Sequence, residues 1–180
     1  MESFVIQSAQ TALNNGTDLS EHSFLNIKKG KVVGIDFDQF LEYATRMKTP
    51  PAFDSLTADS FENSLFGTSV INTKHFTPYS FANSQTGSYM ADPKIIKMMN
   101  PMNYISAKNT TTSKHWRIRH GAIDRDTSLA VPIILATKLE NKGYNVDFAL
   151  PWDVGHSGDY DLEELFSWMD KVVKEKRNKF

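Results

Sequence analysis

The feature that most constrains this chain lies in its last third, where strand-like and helical segments alternate. Residues 116–119 (WRIR) read as a strand, 127–141 as a helix and 146–150 as a second strand, with a last helix opening at Asp161. In the first of these helices Leu129, Ile133, Ala136 and Leu139 recur at helical spacing, and Gly143 follows its end. Pro132 falls near the first turn, where proline costs least. Residues 146–150 alternate apolar and polar, as a half-covered edge strand would. Glu164 stands three residues after Asp161, a variant of the capping box, and Leu162, Leu165, Phe166, Met169, Val172 and Val173 are expected to form a buried stripe. Residues 175–179 read as a solvated tail. A strand–helix–strand succession makes parallel neighbours. The loops after both strands then open at one end of a sheet, the end where α/β folds place their chemistry.

The expected fold class is therefore α/β, but two strands and two helices are too few to close a sheet. One strand edge and much apolar surface stay uncovered. The upstream sequence does not supply the remaining strands. Residues 2–13 read as a helix with Val5, Ala9 and Leu13 on one face, residues 29–34 as a turn or short hairpin, and residues 36–47 as a helix stopped by Thr49-Pro50-Pro51. Residues 52–92 are rich in Ser, Thr, Asn, Phe and Gly and read as irregular apart from a short helix over 60–65. A stretch of that length without regular structure suits a lid or binding loop. Asp92-Pro93 opens a short helix over 93–99, which Pro101 ends. The simplest reading is that the chain is the C-terminal part of a larger protein.

Composition narrows the function classes. The 180 residues are 40% hydrophobic, enough for a core. A net charge of −1 gives no electrostatic reason to expect a nucleic acid or an anionic membrane as partner. Cysteine is absent, which excludes disulfides, thiolate catalysis and cysteine-ligated metals. No stretch approaches the run of about 18 apolar residues that spans a bilayer. The first residues, MESFVIQSAQTALNNG, carry neither the basic start nor the continuous apolar run of a signal peptide.

Asp124, in WRIRHGAIDRD, follows the first strand, and His156, in PWDVGHSGDYD, follows the second. A carboxylate so placed can accept from the Nδ1–H of the histidine, fixing its tautomer and stabilising the imidazolium that forms when Nε2 takes a proton. The chain order acid then histidine is that of the last two members of an α/β-hydrolase triad. Gly155 and Gly158 let the histidine loop turn tightly. Pattern alone also allows Asp124 to be a turn residue and His156 a surface loop residue. The nucleophile is absent: no G-x-S-x-G occurs in the chain. Ser157, in Gly155-His156-Ser157-Gly158, is one residue short of that motif, and Ser128 reads as a helix cap. His120 reads as structural, with support of the acid loop as the alternative. His22, His75 and His115 have no ligand spacing, so no metal site is expected. Lys48 and Glu62, fourteen residues apart in the irregular region, read on their own as solvated charges.

Three segments together carry a resemblance: RMKTPPAFDSLTADSFENSLFG (46–67), ADPKIIKMMNPMNYI (91–105) and the stretch 115–170 with IRHG-x-x-DRDTSLA and PW-x-x-x-H-x-GDYDL. They resemble the C-terminal half of bacterial tannases, α/β-hydrolase esterases related to feruloyl esterases that cleave galloyl esters. The resemblance covers residues 36–175. It implies an α/β-hydrolase C-terminal part, its last two parallel strands and flanking helices over 106–180, preceded over 1–105 by part of a mostly helical and irregular lid domain. It implies Asp124 and His156 as catalytic acid and base, and Lys48, Glu62 and Asp126 as ligands of the galloyl hydroxyls. No cofactor is implied. The implied partners are a phenolic ester and an N-terminal half, carrying the serine, from the same gene or another chain. Family members include secreted and intracellular forms, so no compartment follows. The alternatives are a non-catalytic phenolic-binding or assembly module, and an inactive truncated fragment.

Overall fold

A computed structural model describes residues 1–45 and 51–177. Along the chain run α1 (Glu2–Asn14), β1 (Leu25–Lys28), β2 (Lys31–Ile35), α2 (Phe37–Ala44), α3 (Phe61–Leu65), α4 (Pro78–Ala82), α5 (Pro93–Met99), the short 3₁₀ turn Pro101–Asn103, β3 (His115–Arg119), α6 (Ala130–Asn141), β4 (Asn145–Ala149) and α7 (Leu162–Arg177). They fall into two compact units, Met1–Thr45 with Ser113–Phe180, and Arg46–Thr112. This grouping differs from the division at 105/106 expected from the sequence. The apolar faces of α1 and α2 are the reason. Val5, Phe24, Phe40 and Ala44 bury themselves in one cluster with Ala122, Leu129, Ile133 and Leu150.

In the first unit β3 and β4 pair in parallel, with Trp116 opposite Val146 and Arg119 opposite Ala149, and α6 crosses between them. The loops after the two strands therefore share one end. Helix α1 is tied to the end of β4 by the Ser8 hydroxyl, which donates to the Leu150 carbonyl. Its Gln10 side chain accepts from the Val32 N–H at 2.8 Å and donates to the Gly30 carbonyl at 3.2 Å, seating the β1–β2 hairpin. That hairpin turns on Lys29 and Gly30, both at positive φ (49° and 74°), as a tight two-residue turn requires. Helix α2 is capped by the Asp36 carboxylate on the Gln39 N–H and ends at Ala44, earlier than the proline pair, because Thr45 turns left-handed at φ 50°.

Helix α6 starts at Ala130 rather than at 127, because the Asp124 carboxylate takes the N–H groups of Asp126 and Thr127 and holds that stretch as a loop. The Ser128 hydroxyl accepts from the Ala130 N–H. On α7 the stripe expected to be buried is mostly open. Leu162, Phe166, Met169 and Val173 are exposed, as are Val131 and Ile134 on α6, since no other described element lies over them. The Asp161 carboxylate is not the simple cap expected: it receives Arg117 Nη1 at 2.7 Å and Arg119 Nε at 3.0 Å. Asp147 on β4 receives Arg119 Nη2 at 2.9 Å, so β3, β4 and the start of α7 are laced by charge-assisted bonds. No described helix is long and apolar enough to cross a membrane.

The second unit is organised by polarity. Among its described residues the buried apolar ones are small, Ala58 and Ala91, beside Asp54, Asn63, His75 and Ser80. Asp54 is the hub. One carboxylate oxygen accepts from Asn63 Nδ2 at 2.7 Å and His75 Nδ1 at 2.8 Å, and the other from the Phe76 and Thr77 N–H groups at 2.9 and 2.7 Å and the Thr77 hydroxyl at 2.7 Å. The Thr77 hydroxyl in turn caps α4, a helix the sequence reading missed in its irregular surroundings. Burial pushes the Asp54 carboxyl up, but the bonds from Thr77, His75, Asn63 and Phe76 outweigh it and hold it below the usual carboxylate value. Its folded value being lowered, this carboxylate stabilises the unit above the unfolded carboxylate value and loses that contribution as pH falls through the folded one. Asp54→Ala strands several buried donors, and the expected cost is at least roughly 3 kcal/mol. Hydrogen exchange should show residues 51–112 losing protection while α1 and α6 keep theirs.

Candidate active site

The two post-strand loops are joined backbone to backbone. The His120 N–H donates to the Ala149 carbonyl at 3.3 Å, Ala122 to Pro151 at 2.9 Å and Ile123 to Val154 at 3.1 Å. Gly121 is what allows this approach. A Cβ there would stand 2.2 Å from the Val154 carbonyl oxygen and 2.3 Å from that of Gly155, so no other residue fits without moving a loop. The second loop is anchored from behind by Trp152, whose ring packs against Phe24, Phe40 and His22. It is anchored again by Asp153, which accepts from the Tyr43 hydroxyl at 2.5 Å. Burial first, then the bond to Asp153 and its charge, pushes the Tyr43 phenol up to about 12. Asp153, Ser157 and Gly158 adopt positive φ (56°, 61° and 112°), so the loop turns sharply on both sides of His156.

This scaffold brings Asp124, Asp126 and His156 together. Asp124 is buried, and its Oδ1 accepts from the Asp126 N–H at 2.8 Å and the Thr127 N–H at 3.0 Å. Its Oδ2 lies 3.0 Å from His156 Nδ1 and 3.2 Å from His120 Nε2. Burial raises the Asp124 carboxyl, but the Thr127 and Asp126 N–H bonds, the His156 bond and the charge of His120 outweigh it, and the net shift is downward. Asp124 is therefore an anion across the neutral range. The His156 side chain is 54% exposed against 6% for Asp124, so a buried acid presents a reachable imidazole. An imidazole held by Nδ1 on a carboxylate is the arrangement of a general base. Asp126 Oδ2 lies 3.8 Å from the same Nδ1. Asp124, Asp126 and His156 each offer a ligand atom within 4.8 Å of the others, close enough to share a cation. The bonds already made by Asp124 account for that closeness without one.

Glu62 lies in the first turn of α3, in the second unit, and Lys48 falls outside the described residues. Ser157 lies beside His156 in the sharp turn with no helix opening after it. His120, read as structural from the sequence, touches Asp124, and only the turn at Gly121 reveals it. The sequence reading also passed over an acid–imidazole–hydroxyl relay in the second unit, where His75 Nδ1 meets Asp54 and His75 Nε2 lies 2.9 Å from Ser84 Oγ. That relay has the connectivity of a triad, but His75 is fully buried and Ser84 Oγ also receives the Ser88 N–H, so it serves as a loop clamp.

The structure of tannase from Lactobacillus plantarum superposes with a TM-score of 0.91 at 48% sequence identity, over 95% of this chain and 36% of its own length. Over nearly all of its length the chain is similar to a part of bacterial tannases. Tannase from Fusobacterium nucleatum matches with a TM-score of 0.87 at 50% identity, over 96% of this chain and 38% of its own. A tannin acyl hydrolase in complex with ethyl gallate matches with a TM-score of 0.89 at 48% identity, over 95% and 37%. The chain thus spans little more than a third of these tannases' length. No family model matches it, and no curated protein sequence does.

The seam at Gly121 yields a direct expectation. Gly121→Ala pushes the two loops apart, at a cost of about 1–3 kcal/mol. The Ala122 and Ile123 amides, which bond across the seam, should then exchange with solvent far faster than amides of β3. Unchanged protection at both would refute the close approach as the organising contact.

Proposed function

We propose that these residues form the C-terminal portion of a tannase-type serine esterase acting on galloyl and related phenolic esters. The observation that carries the reading is the bond from His156 Nδ1 to a buried Asp124, at the shared end of two parallel strands, in a chain 48% identical to a tannase. In this reading β3, α6, β4 and α7 are the last part of an α/β-hydrolase core. The lid role belongs to the unit over 46–112, which overlaps the stretch 1–105 assigned to a lid from the sequence. The serine comes from outside these 180 residues, which contain no G-x-S-x-G.

The proposed steps assign each residue a role. The serine hydroxyl attacks the ester carbonyl while His156 Nε2 takes its proton. Asp124 holds the ring by Nδ1 and stabilises the imidazolium. The alcohol leaves with that proton, forming an acyl-enzyme, and water then attacks it with His156 again as base, releasing the phenolic acid and restoring the serine. The resemblance to tannases adds Lys48, Glu62 and Asp126 as ligands of the ring hydroxyls, carboxylates accepting and the ammonium donating, each contact charge-assisted. Carboxylates that expect hydroxyl donors discriminate strongly against rings that lack them.

A chimera tests this: the corresponding segment of the Lactobacillus plantarum tannase is replaced by this chain. Hydrolysis of methyl gallate is expected from the chimera, and none from the 180 residues alone. His156→Ala in the chimera should lower kcat by about a thousand-fold or more. Turnover that survives this change would remove His156 from the reaction. Asp126→Ala and Glu62→Ala should narrow the preference for methyl gallate over methyl benzoate, measured as the ratio of kcat/KM.

A second reading, a non-catalytic binding or assembly module, is favoured by the exposed apolar faces of α6 and α7. Calorimetry of the chain alone with gallate separates the two: saturable binding abolished by Asp126→Ala supports the module.

A further inference from the structure

We propose that Asn63 is a positioning residue that fixes where Glu62 stands, and through it sets the discrimination between rings that carry hydroxyls and rings that lack them. The proposal rests on the reading above of Glu62 as a ligand of the ring hydroxyls, and adds the buried group that holds this ligand in place.

Helix α3 cannot hold its own position. It is five residues long, Phe61–Leu65. A helix needs roughly 12–15 residues before it persists by itself in water. Its apolar side chains do not anchor it, since Phe61 is 76% exposed and Leu65 50%. Phe66, just past its end, stacks on Phe76 with ring centroids 4.3 Å apart, which steadies the C-terminal side. Glu62 stands in the first turn, half-buried. Among the residues of α3, all of them described, Asn63 alone is buried. The anchor of the first turn is therefore Asn63, the neighbour of Glu62.

Both polar atoms of the Asn63 side chain are used twice. Nδ2 donates to Asp54 Oδ1 at 2.7 Å and to the Lys74 carbonyl at 2.9 Å. Oδ1 accepts from the Ser55 N–H at 3.2 Å and lies 2.6 Å from the Ser60 hydroxyl. A carboxylate and a carbonyl only accept, and a peptide N–H only donates, so the amide fits one way round. The backbone of Asn63 is tied as well. Its N–H donates to the Ser60 hydroxyl at 3.1 Å, and its carbonyl accepts from the Lys74 N–H at 3.2 Å. Asn63 thus fastens α3 to residues 54–55, to Ser60 and to Lys74. Without its amide, Asp54 keeps the bonds from His75, from the Phe76 and Thr77 N–H groups and from the Thr77 hydroxyl. The hub outlasts the loss, while α3 is released at the turn that carries Glu62. A ligand that must meet a ring hydroxyl at hydrogen-bond distance does not survive such a release, because a displacement of about 1 Å is enough to lose the contact.

Backbone relaxation and a specificity ratio test this. In the 180-residue chain, Asn63→Ala should lower the NMR order parameters of the α3 amides from about 0.85 to below about 0.6, while those of His75, Phe76 and Thr77 stay high. Rigid α3 amides in that variant, or equal loosening of His75, Phe76 and Thr77, overturn the proposal. In the chimera, Asn63→Ala should lower the kcat/KM ratio of methyl gallate over methyl benzoate by about ten-fold or more. It should add nothing to Glu62→Ala, because a displaced ligand and a deleted one lose the same bond. Equal losses on the two esters, or a ratio lower in the double variant than in Glu62→Ala, make Asn63 structural only and overturn the proposal. A ratio narrowed by Glu62→Ala but not by Asn63→Ala leaves the esterase reading standing and removes the positioning role. A ratio that Glu62→Ala leaves unchanged sinks the ligand reading itself, and the proposal with it.

Discussion

The candidate site depends on one contact between two stretches of backbone. Residues 120–123 lie directly on residues 149–154, N–H to carbonyl, with no side chain between them. That contact exists because Gly121 has no Cβ to strike the Val154 and Gly155 carbonyls. From it the rest follows. Asp124 is drawn beneath the His156 loop, its carboxylate gathers the N–H groups of Asp126 and Thr127, and the same oxygen reaches both histidines. Peptide groups are stiffer than long side chains. An acid positioned by peptide contacts therefore holds a geometry that side-chain packing alone would hold less firmly.

The two compact units reach order by different means. The first uses apolar area: Val5, Phe24, Phe40, Leu129 and Leu150 form its core, and Trp152 joins that core to the histidine loop. The second has little apolar area to bury and is arranged around one carboxylate, Asp54. Desolvating a carboxylate is costly, and the cost is offset only while every bond is made. Such a unit is acid-sensitive where an apolar core is not. Both Asp54 and Asp124 are held below the usual carboxylate value by bonds that outweigh burial, so the loop clamp and the candidate site each weaken on acidification.

The uncovered surfaces share one origin. β3 and β4 pair only with each other among the described residues, and α6 and α7 keep apolar side chains in the open. The related tannases are more than twice as long as this chain, so in them these elements belong to a larger body.

Much of this could be read from residue order. The alternation of strand and helix after residue 115 sets the parallel pair, and the DRD and GHSG segments mark the two loops, because periodicity and turn chemistry are local properties. The helical spacing over residues 2–13 is local in the same way. What the order of residues could not decide depends on contacts between distant stretches. Residues 1–45 join the C-terminal segment, Asp161 serves two arginines rather than a helix end, and His120 turns onto Asp124. Each of these is a choice among partners that spacing leaves equivalent. Only the folded chain makes the choice, through the apolar area it buries and the polar groups it must satisfy.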